Sequence, residues 1–170
     1  MIFSRLIKFI MIFSIGCAAF SSGQIRAADA PAPASVATKK FEALRFNKIK
    51  MHTGPGSQYP VEWIYQRQGL PVEVLAAYES WRKIADPDGT TGWVQDTMLS
   101  EKRTTLTQGP QRPLRQDPQP DAPTIAYVDP GVVGRVAACG NNWCRIKFGD
   151  YEGWLEETNL WGIGAGETFK

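Results

Sequence analysis

The feature that most constrains this chain is that it states one pattern twice. At a spacing of 62 residues, Tyr65 answers Tyr127, Gly69 answers Gly131, Val74 answers Val136, Ala76 answers Ala138, Trp81 answers Trp143 and Ile84 answers Ile146. At a spacing of 61, Gly92-Trp93 answers Gly153-Trp154, Thr97 answers Thr158 and Leu99 answers Leu160. Tryptophan is rare, so two such pairs at nearly constant spacing point to one small module used twice. The lost residue falls at Asp86-Pro87-Asp88-Gly89, where the Asp-Gly step signals a hairpin turn and length changes are tolerated. Upstream, Met51-His52-Thr53-Gly54-Pro55 lines up with Leu106-Thr107-Gln108-Gly109-Pro110 at a spacing of 55. That match predicts seven extra residues, 62 less 55, in the first loop of the second copy.

The repeat sets the expected organisation: one module over residues 41–101, a second over 102–163 and a tail over 164–170. The stretch 109–123 holds five of the twelve prolines and looks like a linker between domains. Read through the repeat, it is instead a Pro-rich first-loop insert inside the second module.

Within each copy the local signals are those of strands. Leu70 to Leu75 and Val132 to Val136 are short β-branched segments, Trp81 to Ile84 and Trp143 to Ile146 follow turns, and Gly92-Trp93-Val94 and Gly153-Trp154-Leu155 form the next strand. No window carries a sustained 3.6-residue apolar period with caps. The expected fold is therefore all-β: five or so short strands per copy, curled into two small, partly open barrels that hide their edges. A domain of this size buries only about 60% of its unfolded surface. Two reinforcements are visible: six tryptophans, all inside the repeats, each able to bury on the order of 200 Å², and the pair Cys139 and Cys144. These cysteines flank Gly140-Asn141-Asn142-Trp143, which sets them opposite each other across a hairpin at a span a disulfide can bridge. A staple closing so short a loop contributes about 2 kcal/mol in the chain-entropy model; the competing reading is a reactive dithiol.

Residues 1–27 have the anatomy of a secretory signal: Arg5 and Lys8, an apolar run from Phe9 to Phe20, then small and polar residues before Ala27. Gly16 and Ser21-Ser22-Gly23 leave the run short of the ~20 apolar residues of a membrane span. Two rival readings are a retained N-terminal anchor and lipid attachment at Cys17, for which Ser14 is a poor fit. Export with cleavage after Ala27 predicts a periplasmic or secreted protein. It also removes Arg5, Lys8 and Arg26, so that the 19 basic and 17 acidic residues become 16 and 17, a net charge of −1 in place of +2. Cys17 leaves too, and Cys139 and Cys144 remain as an even pair in a disulfide-permissive compartment. Residues 28–40, rich in Ala and Pro, suit a flexible tether.

The string Gly54-Pro55-Gly56-Ser57-Gln58-Tyr59-Pro60-Val61, then Gly69 to Val74, Trp81 to Ile84 and Gly92-Trp93-Val94, resembles the bacterial SH3 domain family. The second copy, with Pro130-Gly131-Val132-Val133, Cys139 to Ile146, Gly153-Trp154-Leu155 and Leu160-Trp161-Gly162, looks like a diverged member lacking an intact Gly-Pro-Gly-Ser-x-Tyr turn. The resemblance implies two tandem SH3-like β-barrels. It also implies a non-catalytic module of the cell envelope, contacting peptidoglycan or a peptide segment of a partner protein. Fold analogy alone names no ligand.

Catalysis is hard to assemble from these residues. His52 is the sole histidine, its counterpart in the upstream match is Thr107, and no nucleophile elbow surrounds it. Cys139, Cys144 and His52 fall short of the four close ligands of a structural zinc site, so no metal and no cofactor is expected. The first module has six basic and eight acidic residues and the second seven of each, without the surplus that phosphate neutralisation requires. Nucleic acid is therefore not an expected partner. Arg45, Lys48 and Lys50 read as a solvated strand face.

The candidate ligand-binding residues are aromatic: Tyr59, Tyr65, Trp81, Tyr127 and Trp143. With Ile84 and Ile146 facing the core, strand parity puts Trp81 and Trp143 on the opposite face. The tyrosines stand where the first loop meets the barrel, and such a shelf suits sugars, prolines or apolar peptide side chains. The plainer alternative is that these rings complete small cores. A sharper idea is that Pro110-Gln111-Arg112-Pro113 and Pro120-Asp121-Ala122-Pro123, both P-x-x-P, lie on the first module's shelf as an internal ligand. The competing function class is a small cell-wall hydrolase, or the accessory subunit of one.

Overall fold

A computed structural model describes residues 40–164 and 166–168. The signal segment 1–27, Cys17 and the tether, except Lys40, lie outside the described residues. Fourteen strands follow in chain order: β1 (Lys40–Leu44), β2 (Ile49–His52), β3 (Val61–Tyr65), β4 (Pro71–Tyr78), β5 (Trp81–Ala85), β6 (Thr91–Gln95), β7 (Leu99–Ser100), β8 (Thr104–Thr107), β9 (Arg112–Arg115), β10 (Thr124–Val128), β11 (Val133–Gly140), β12 (Trp143–Phe148), β13 (Tyr151–Glu156) and β14 (Leu160–Trp161). A single 3-10 turn precedes β7 and another precedes β14. The fold is all-β, with two antiparallel seven-stranded sheets ordered β3-β2-β6-β5-β4-β1-β7 and β10-β9-β13-β12-β11-β8-β14.

Each copy has seven strands where the local signals suggest about five. The additions are the short flanking pair: β1 bonds both β4 and β7, and β8 bonds both β11 and β14. Closure by so few residues leaves almost no local pattern to read. Each barrel holds its own core. The first gathers Leu44, Ile49, Met51, Tyr65, Val72, Ile84, Val94 and Leu99. The second is built around Leu114, Ile146, Phe148, Leu155 and the Cys139–Cys144 disulfide.

Strand pairing corrects the upstream part of the repeat. Met51 pairs with Trp63 and Leu114 with Ala126, each on the second strand of its sheet, so Met51 corresponds to Leu114 at a spacing of 63 and not to Leu106. The connection 45–48 matches 108–111, and 53–60 matches 116–123, residue for residue in length. The second copy therefore carries no insert. The stretch 109–123 is a turn, β9 and the following loop, and the shared Gly-Pro at 54 and 109 is a coincidence of composition. The true counterpart of Gly54-Pro55 is Asp117-Pro118. Physics explains the change: a Cβ on Gly54 would come within 2.5 Å of the Tyr59 ring, which lies across it. Ala122 stands in the place of Tyr59, so Asp117 meets no ring there.

The internal-ligand idea fails for the same reason. Pro113 pairs with Tyr127 inside the second sheet, and Gln116 N–H donates to the Pro123 carbonyl at 2.9 Å. Both P-x-x-P segments are thus committed to the second barrel's own frame.

The barrels touch. Arg67 donates to the Gly131 carbonyl at 2.6 Å. Arg103, between the sheets, donates to the Phe41 carbonyl at 3.0 Å, the Gly162 carbonyl at 3.3 Å and Glu167 Oε2 at 2.5 Å. Phe41 meets Trp161 edge to face with ring centroids 5.2 Å apart.

Candidate functional site

The repeated Gly-Trp strand shows how the barrel shapes its outer face. Gly92 lies opposite Ile84 and Gly153 opposite Ile146. A Cβ on Gly92 would fall 2.6 Å from Met51 Cγ, and one on Gly153 would fall 2.6 Å from the Arg115 carbonyl oxygen. Glycine thus lets β6 and β13 approach the second strand of each barrel closely. That approach draws the outer faces of β2, β6 and β5 into one concave surface, with its equivalent in the second barrel.

Each barrel has a groove there. In the first, a cleft of about 330 Å³ is lined by Lys48, Lys50, His52, Ser57, Trp81 and, at the far wall, Gln95 and Met98. In the second, a cleft of about 180 Å³ is lined by Arg112, Pro113, Arg115, Pro120, Trp143, Leu155, Glu156 and Asn159. By the corrected register these are the same site in two copies. Lys50, His52 and Ser57 answer Pro113, Arg115 and Pro120, while Trp81, Gln95 and Met98 answer Trp143, Glu156 and Asn159.

His52 is built into the first groove. Its Nδ1 lies 2.8 Å from the Tyr59 carbonyl oxygen, which only accepts, so Nδ1 carries the proton. Its ring stands edge to face against Trp81 with centroids 5.3 Å apart. The loop 53–60 and the strand β5 are thereby pinned to each other through one imidazole.

The five aromatic candidates separate. Trp81 and Trp143 do take the outer face of their strands and line the two grooves, although Trp81 is 7% exposed, its body covered by the groove walls. Tyr59 is exposed beside the first groove and supplies its carbonyl rather than its ring to His52. Tyr65 belongs to the core: its hydroxyl donates to Asp86 Oδ2 at 3.1 Å and rests 3.5 Å from Met51 Sδ. Burial first, and then the Asp86 carboxylate, push its phenol well above the ordinary tyrosine range. Its counterpart is buried Val128, not Tyr127, because Ile49 pairs with Tyr65 and Arg112 with Val128. Tyr127 instead stands on the outer strand β10, 67% exposed, paired with the groove residue Pro113 but not itself lining either groove. Lys48, Lys50 and His52 are not among the sequence candidates. The signal that finds them is the alternation along β2, where Ile49 and Met51 are buried, Lys50 between them is exposed, and Lys48 and half-buried His52 flank the pair at the same two-residue step. Among the described residues, no cluster of three or more His, Cys, Asp or Glu is placed to hold a metal ion, and no helix is long and apolar enough to cross a membrane.

Residues 47–101 and 108–162 each match the bacterial SH3 domain, so the chain belongs to that family, with two such domains in tandem. Among solved structures it is similar to NlpC1 from Trichomonas vaginalis, at 16% identity over 76% of this chain and 48% of that one, with a TM-score of 0.35. It is also similar to an NlpC/P60 family protein from Bacillus cereus, at 13% identity over 72% of this chain and 56% of that one, with a TM-score of 0.33. The chain spans about half the length of these proteins. No curated protein matches it.

Proposed function

We propose that this is a non-catalytic, exported binding protein of the cell envelope that holds peptidoglycan or a peptide segment of a partner through its two repeat-equivalent grooves. The observation that carries this reading is the retention of a tryptophan at the same groove position in both barrels, Trp81 and Trp143, while surrounding loops and core residues have changed. The accessible edge of an indole in a partly polar cleft offers a contact for sugar rings, proline or aliphatic side chains. Export rests on the pattern of residues 1–27, and the periplasm or the exterior is the compartment in which a Cys139–Cys144 bridge persists.

The test is co-sedimentation of the protein with purified peptidoglycan, run beside an envelope pull-down. Wild type is expected in one or both bound fractions, and the Trp81→Ala/Trp143→Ala variant is expected to lose at least tenfold in retention. Retention unchanged in the double variant overturns the groove reading. Cell-wall hydrolysis by the purified protein that disappears in His52→Ala overturns the non-catalytic one.

A further inference from the structure

Three positions of the repeat carry different residues in the two copies, and their second-copy members meet the first barrel. Lys40 pairs with Val74, and the Arg103 carbonyl accepts from the Val136 N–H at 3.0 Å, so Lys40 and Arg103 are equivalent. Ser100 pairs with Ala43 as Trp161 pairs with Leu106, which makes Ser100 the equivalent of Trp161 and Glu101 that of Gly162. In the first copy Lys40 and Glu101 are exposed, and Lys40 is ion-paired within its own strand to Glu42 at 2.7 Å. In the second copy each position holds what contact with the first barrel requires. Trp161 sets its ring against Phe41, which is buried. Gly162, at φ 101°, carries no side chain, and a Cβ there would lie 2.8 Å from Pro71 Cβ and 3.0 Å from the Thr104 carbonyl oxygen. Arg103 is one of the three residues between β7 and β8; its carbonyl belongs to the second sheet, while its guanidinium reaches the Phe41 carbonyl, the Gly162 carbonyl and Glu167. A planar fork of donors serves acceptors from separate segments at once, where the lysine of the first copy offers a point charge.

The tail completes the joint. Glu167 Oε2 also accepts from the Gly164 N–H at 2.9 Å, and Glu157 Oε1 accepts from the Gly166 N–H at 2.8 Å, so Glu167 is held against the second barrel with its carboxylate on Arg103. A second tie joins the turns before β4 and β11, where Arg67 donates to the Gly131 carbonyl and Val133 packs beside Gly69. Tandem domains move relative to one another by default, and a short linker by itself leaves a hinge. We infer that the C-terminal tail is a latch and Arg103 its catch, and that together they join the two barrels into one rigid body. The latch is independent of what the grooves hold; for the binding reading above, it keeps both grooves at one spacing.

The test is backbone amide NMR relaxation on the full chain, which gives a rotational correlation time for each barrel separately. Wild type is expected to show one shared value. Arg103→Ala is expected to part the two, each barrel's time falling about 1.5-fold as it tumbles with roughly half the mass, and Glu167→Ala to give a smaller fall in the same direction. Lys40→Ala, at the equivalent position of the first copy, is expected to keep the shared value. Amide hydrogen exchange on the same samples separates unlatching from a general loss of structure: protection inside each barrel should stay at the wild-type level while the correlation times part. If Arg103→Ala loses protection in either core, Glu167→Ala, in the half-buried tail, decides in its place. Separate correlation times in wild type, a shared value in both the Arg103 and Glu167 variants, or an equal fall in Lys40→Ala overturns the inference. A fall in Arg103→Ala with none in Glu167→Ala overturns the tail's part in it.

Discussion

The two barrels answer the same packing problem with different chemistry. In the first, Tyr65 reaches across the core to Asp86, whose other oxygen accepts from the Asp88 N–H at 3.0 Å and the Thr90 N–H at 2.9 Å, so one buried carboxylate both shapes the hairpin turn and anchors a core ring. In the second, Phe148 stands at the Asp86 position, Val128 at Tyr65 and Gly134 at Val72. A Cβ on Gly134 would come within 2.4 Å of both the Phe148 ring and Ile146 Cγ2, so the glycine makes room for the phenylalanine. Three substitutions have moved together, replacing a polar tie by a larger apolar filling. The hairpin between the fourth and fifth strands differs likewise. Arg82 donates to the Glu79 and Trp81 carbonyls at 2.9 and 3.0 Å in the first barrel. In the second, Cys144 takes its place and bridges to Cys139 across a Cα–Cα distance of 4.2 Å. The turn there runs through Asn141 and Asn142, both left-handed with φ of 53° and 64°, the geometry of a two-residue hairpin loop. One barrel is held by hydrogen bonds to charged groups, the other by a ring and a covalent staple.

This contrast is open to direct attack. The largest effect is expected from Phe148→Ala, which opens a cavity in the second core and costs about 3–5 kcal/mol there; hydrogen exchange resolved by barrel should show protection lost in β11–β13 and largely kept in β4–β6. Reduction, or Cys139→Ala/Cys144→Ala, is expected to cost the second barrel about 2 kcal/mol, read as a lower denaturation midpoint that reductant no longer changes in the variant. Alanine at the paired glycines comes next: Gly153→Ala meets a backbone carbonyl at 2.6 Å, whereas Gly92→Ala meets first a flexible methionine and a backbone carbonyl only at 3.0 Å, so the former should destabilise more, by about 1–3 kcal/mol. Equal losses would mean the two strand approaches are alike after all.

The smallest effect is that of Tyr65→Phe, about 1 kcal/mol at neutral pH, for loss of its bond to Asp86. It carries a pH signature. Because the folded phenol ionises above its unfolded counterpart, the stability it contributes is fully present below about pH 10 and is lost as pH rises beyond that. Alkaline titration followed by circular dichroism should therefore show the wild type weakening above that pH more steeply than Tyr65→Phe. Parallel curves would remove the buried phenol as the cause.

Much of this architecture is legible in the residues alone. The Gly-Trp pairs and the Trp81 and Trp143 positions follow from spacing, because an indole, a tight hairpin and a glycine opposite an isoleucine leave residues that chance does not repeat. Cys139 and Cys144 are readable as a cross-strand pair because their separation matches a two-residue turn with one flanking pair. Other elements are not legible. The Gly-Pro match at 54 and 109 misleads because a dipeptide turn signal says nothing about which strands it joins. Tyr65 and Tyr127 look equivalent at the dominant spacing of 62, yet the third strand of each sheet keeps a spacing of 63, and a one-residue shift exchanges a core position for an exposed one. Lys48 and Lys50 look like solvated charge because the wall that makes them part of a groove, Trp81 with Gln95 and Met98, arrives from strands much later in the chain.

The sequence by itself determined the repeat, the all-β class, the family and the disulfide partners, since each is written in local alternation, turn residues or pairs spaced by a hairpin. The tertiary structure decided the register of the upstream strands, the fate of the proline-rich segment, the burial of Tyr65 and the assembly of two matching grooves. The physical reason is that in a barrel of short strands most contacts join residues distant along the chain. What a side chain faces is set by strands it pairs with in space, and a pattern of period two is blind to a shift of a single residue until that pairing is made.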